Sequence, residues 1–86
     1  MNSTLSDYEI FEKIKKEICI QLPLTNADKI TRKSNYINDL EADSLDIIEL
    51  VIRFESDFDI EINDRVASSI ETVEDTIYYI LKFQKV

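Results

Sequence analysis

The chain has 86 residues, 44% of them hydrophobic, with a net charge of −8, one cysteine and no histidine. That length supports one small domain, 1–86, burying roughly 60–65% of the surface its unfolded chain exposes, and the composition is too apolar for a disordered segment. The negative charge repels nucleic-acid phosphates, the single cysteine makes neither an internal disulfide nor a metal site, and without histidine a serine nucleophile lacks its usual base.

No apolar run approaches the roughly 20 residues of a membrane span, so no membrane insertion is expected. Met1-Asn2-Ser3-Thr4 lacks a basic stretch leading into an apolar core, so a cytoplasmic location is expected.

The first helix is predicted from Leu5 to about Gln21. Ser6 with Glu9 makes a capping box, and Leu5 with Ile10 a hydrophobic staple. Ile10, Phe11, Ile14 and Ile18 share one helical face. Cys19 is expected to be buried between Ile18 and Ile20. Pro23, the only proline, ends the helix.

From Leu22 to about Asn38 the periodicity fails. So long a loop is uncommon in a small domain. It is expected to be pinned by Leu24, Ile30, Tyr36, Ile37 and Leu40 dipping into the core, with one helical turn near Ala27–Ile30.

Asp43 then caps a second helix, Ser44 to about Phe58, roughly 22 Å long. Ile47, Leu50, Val51, Phe54 and Phe58 fall in one arc, the core-facing stripe. Leu45, Ile48 and Ile52 fall on the opposite side among acids. Packing on a small core does not need that second stripe, so it is expected to be a docking surface, framed by Asp43, Asp46, Glu49 and Glu55. On local pattern alone, Ser44 reads as a second capping residue.

Asp59-Ile60-Glu61-Ile62 alternates like a strand but has no visible partner, so an extended connector burying Ile60 and Ile62 is predicted. Asn63 caps a short helix, about Asp64 to Ser68. Thr72, with Asp75 at the capping-box position, opens a last helix to about Phe83, with Val73, Ile77, Ile80 and Leu81 inward. With no glycine in the chain, asparagine and aspartate must supply left-handed stops. The fold class is therefore all-α: a small four-helix bundle, three longer helices and one short, with a long loop between helices I and II.

The charge is concentrated. Between Asp39 and Asp64 there are ten acids and one base, Arg53, giving −9. The rest of the chain is close to neutral. Basic protein surfaces are the natural complement. The acids do not form a calcium loop: counting from Asp57, the glycine and glutamate positions of an EF-hand hold Ile62 and Ser68. No catalytic residue and no metal ligand set is identified, and no phosphate-cradling loop is possible without glycine.

Asp39-Leu40, Ala42-Asp43-Ser44-Leu45-Asp46, Glu49-Leu50-Val51, Phe58-Asp59, Glu61-Ile62 and Thr72-Val73 together resemble the acyl carrier proteins of bacterial fatty-acid synthesis. The resemblance runs in register from about Leu5 to Ile80. It implies that Ser44 carries 4'-phosphopantetheine delivered from coenzyme A by a phosphopantetheinyl transferase. It further implies that acyl groups ride on the arm's thiol and that synthase and transferase enzymes with basic docking surfaces bind helix II. A growing chain would be sheltered near Leu50, Phe54, Ile62 and Ile80. The protein itself is then a carrier, not an enzyme, and a monomer is expected. Two positions depart from the family's habit: Glu41 stands where glycine is common, and Asn63 where proline is. A specialised carrier for a polyketide or another dedicated lipid pathway is one alternative. An acidic helical adaptor that never carries an arm is another.

Overall fold

The computed structural model describes residues 5–84, so the reading of Met1–Thr4 lies outside the described residues. Among the described residues four α-helices follow one another: α1, Asp7–Gln21; α2, Ser44–Phe58; α3, Asp64–Ser69; and α4, Val73–Phe83. A 3-10 turn, Ala27–Lys29, interrupts the long loop between α1 and α2. α1 packs against both α2 and α4.

The helix starts follow from short-range hydrogen bonds. Ser6 Oγ accepts from the Glu9 amide while Glu9 accepts from the Ser6 amide. Asp43 with Asp46, and Thr72 with Asp75, repeat the arrangement at α2 and α4. Asn63 Oδ1 accepts from the Val66 amide and caps α3. Each box satisfies amides that the first helical turn cannot pair internally. At the far end of α2, Asp59 adopts the left-handed conformation at φ 53°. Aspartate tolerates that region better than most residues, so the chain stops a helix there without glycine.

The core is largely aliphatic. Ile10, Ile14 and Ile18 from α1 meet Leu50 and Phe54 from α2 and Val73, Ile77 and Ile80 from α4. Ile60 and Ile62 are buried in the connector, as its alternation predicts. The two limits of the described segment are clasped: the Leu5 amide donates to Gln84 Oε1 at 2.9 Å, and Gln84 Nε2 donates back to the Leu5 carbonyl at 3.0 Å.

Three expectations are corrected. Of the loop residues, Ile30 and Tyr36 enter the core and Leu40 packs on it, but Leu24 is fully exposed and Ile37 is 58% exposed. Leu24 sits inside a turn closed by the Thr25 amide on the Leu22 carbonyl, and the turn points it outward. Asn35 Oδ1 accepts from the amides of both Ile37 and Asn38, a local turn that sends Tyr36 inward and Ile37 outward. On α4, Leu81 is exposed and Thr76 is buried. The inward arc runs through 73, 76, 77 and 80; Leu81 lies beyond its edge. Cys19 is only half-buried, with Sγ 3.9 Å from the Thr25 carbonyl oxygen.

The long loop is held by backbone pairing with the junction before α4. Tyr36 N–H donates to the Glu71 carbonyl, Val73 N–H to Ser34 and Glu74 N–H to Arg32. These bonds flank an isolated antiparallel bridge between Asn35 and Thr72. They give the loop's polar backbone the partners that burial demands.

Candidate functional site

Ser44 is the first residue of α2 and is exposed. The cap of α2 is Asp43, whose Oδ1 accepts from the N–H of the third helical residue, Asp46, at 2.8 Å. The serine hydroxyl is therefore not needed to start the helix. Its backbone approach is fixed by hydrogen bonds within the loop before it. The Ala42 amide donates to the Tyr36 carbonyl at 2.9 Å, and Glu41 N–H donates to Ile37 O at 3.1 Å. Glu41 itself is left-handed, at φ 61°, an uncommon place for a residue with a Cβ.

From Ser44 an open cleft of about 840 Å³ runs between α2 and α3. Ser44, Ile48, Ile52 and Glu55 mark its α2 edge at one-turn intervals, with Ile47 and Val51 beside them. Ile62, Ala67 and Ile70 form much of the facing wall. Of the four residues expected around a sheltered chain, only Ile62 borders this cleft; Leu50, Phe54 and Ile80 lie in the closed core. The sequence carries no signal for Ala67 and Ile70, because they reach the cleft only once α3 has folded back over α2.

The second stripe of α2 is exposed. Leu45, Ile48 and Ile52 are 61%, 56% and 57% accessible. Asp43 and Glu49 are exposed beside them and Asp46 is half-exposed. The Asp43 backbone amide holds the Asp46 carboxyl below the ordinary aspartate range, and the Gln21 carboxamide adds to the effect. Glu55 differs from the other framing acids, because its Oε2 accepts from the Ile62 amide at 2.8 Å and ties α2 to the connector. Gln21, which no sequence pattern marked, donates from Nε2 to Glu49 Oε1 at 2.6 Å and to Asp46 Oδ1 at 3.1 Å.

Residues 12–80 match the family described as phosphopantetheine attachment site. The chain belongs to the acyl carrier proteins. It is 52% identical to the acyl carrier protein of Picosynechococcus sp. over 69 residues, which cover 80% of this chain and 84% of that one. It is 45% identical to the acyl carrier protein of Akkermansia muciniphila over 80 residues, covering 93% of this chain and 99% of the other. Acyl carrier proteins are carriers rather than catalysts, and this chain is not an enzyme. No helix among the described residues is long and apolar enough to cross a membrane.

Proposed function

We propose that Ser44 is the attachment point of 4'-phosphopantetheine and that the protein carries acyl intermediates of fatty-acid synthesis there. The observation that carries this reading is the position of Ser44. It is an exposed hydroxyl, released from capping by Asp43, at the mouth of an apolar cleft. The residues fit the group. A phosphodiester on Ser44 meets the positive end of α2, where the amides of Ser44 and Leu45 have no intrahelical acceptor. When bound, the arm supplies a thiol on which an acyl group is held as a thioester. The cleft walls then offer that group a surface away from water.

The acidic frame and the exposed Leu45, Ile48 and Ile52 form the docking surface for a phosphopantetheinyl transferase and for synthase and transferase enzymes with basic faces. Long-range charge speeds encounter, and a small apolar patch keeps release fast. Asp43, Asp46 and Glu49 supply the charge beside Ser44. Glu55 lies about three turns further along α2, with one carboxylate oxygen on the Ile62 amide, so its charge acts at the far end of the face. The protein works as a monomer in the cytoplasm.

The test is intact mass after incubation with a phosphopantetheinyl transferase and coenzyme A. The wild-type chain gains one cofactor-sized increment, and Ser44→Ala gains none while keeping its helix content, because Asp43 still caps α2. An increment on the variant would place attachment elsewhere. No increment on the wild-type chain would favour an adaptor.

A further inference from the structure

Glu49 and Arg53 stand four residues apart on α2, with the acid nearer the N-terminus. This is the favoured order for an ion pair along a helix. Yet Arg53, the only base between Asp39 and Asp64, faces α1 instead. Its Nη1 lies 3.4 Å from Glu17 Oε1, and its Nε donates to Gln21 Oε1 at 3.1 Å. Gln21 turns its other end to the acids, donating from Nε2 to Glu49 and Asp46. The amide has one orientation that suits both sides, since only its oxygen accepts and only its nitrogen donates.

We propose that Gln21 and Glu17 are positioning residues that hold Arg53 off Glu49, so that the acidic face reaches a basic partner un-neutralised. This rests on the docking role of Glu49 set out under Proposed function. An Arg53–Glu49 pair would cancel a charge at the centre of that face and make a partner's cation compete with an internal one. The diversion to α1 spends the arginine on Glu17, outside the acidic segment. A neutral carboxamide also orders the Glu49 and Asp46 carboxylates without removing their charge, which lowers the ordering cost when a guanidinium or ammonium group arrives.

The experiment is the kcat/KM of apo chain with a phosphopantetheinyl transferase and coenzyme A at low ionic strength, where screening is least. Glu49→Gln is slower than wild type and establishes that the acid is used. Gln21→Ala falls about three- to fivefold, the scale of one exposed ion pair. Glu17→Gln, which frees Arg53 from its other partner, falls by a similar factor. In an Arg53→Gln background neither substitution has a further effect, and melting temperatures are followed to separate unfolding from charge. A general loss of structure would slow the Arg53→Gln chain just as much, and that result overturns the proposal. So does a Gln21→Ala chain as fast as wild type when Glu49→Gln is slow. If Glu49→Gln is itself as fast as wild type, the docking reading fails first.

Discussion

The Tyr36 hydroxyl and Thr76 Oγ1 lie 2.7 Å apart in the interior, joining residues forty positions distant in the chain. Tyr36 also accepts the Ala42 amide through its carbonyl and donates its own amide to Glu71. One residue thus links the long loop, the start of α4 and the backbone leading to Ser44.

Removing either hydroxyl has unequal consequences. In Tyr36→Phe, Thr76 keeps a second acceptor, the Thr72 carbonyl at 3.4 Å, so the loss should be about 1 kcal/mol. In Thr76→Val, the tyrosine hydroxyl is left buried without that partner, and about 1–3 kcal/mol is expected. Urea unfolding of the two variants gives the order.

Burial pushes the Tyr36 hydroxyl well above its ordinary value of 10.0, with Asp75 adding to the effect against the Thr76 hydrogen bond. The sign follows directly. A proton held more tightly in the folded chain stabilises it fully below pH 10, and the contribution is lost as pH rises from there toward the folded value. Stability should fall in alkali above about pH 10, and Tyr36→Phe should flatten that fall. Absorbance of tyrosinate should show one of the four tyrosines titrating only with unfolding.

Phe54 lies in the middle of the inward stripe of α2 and is buried among α1 and α4 residues. Phe54→Ala should cost about 3–5 kcal/mol, a large share of a small domain's stability. Chemical denaturation measures it.

Ile48 is exposed in the folded chain, so Ile48→Asp should keep the melting temperature within a few degrees. At a partner surface a buried isoleucine is worth about 1.5–3 kcal/mol, so synthase turnover should drop more than tenfold. Glu49→Lys should instead slow association, most strongly at low salt.

Glu41 holds a left-handed backbone at a cost of about 1–2 kcal/mol, and glycine avoids that cost at the expense of about 0.5–1 kcal/mol of chain entropy. Glu41→Gly should therefore raise stability by about 0.5–1 kcal/mol, read as a higher melting temperature.

Where the helices begin and end, and which faces of α1 and α2 are wet, can be read from short-range pattern alone. Asp43 with Asp46, Thr72 with Asp75, and Asp59 after Phe58 act within one helical turn, so their effect is legible without knowing what the turn packs against. The core stripe of α2 and the exposed Leu45, Ile48 and Ile52 follow from the same 3.6-residue period. Which loop side chains enter the core, and which residues meet across long separations, emerges with the assembled fold. The loop offered five apolar side chains to one core, and local turns at Leu22–Thr25 and Asn35–Asn38 turned Leu24 and Ile37 away. Thr76 is accepted in the interior because Tyr36 arrives from the loop with a hydroxyl to share. The cleft opened beside α3 rather than in the core, and Arg53 turned to α1 rather than to Glu49. Apart from the two local turns, each of these outcomes is a competition among packing and hydrogen-bond partners, and those partners do not exist until the helices have docked.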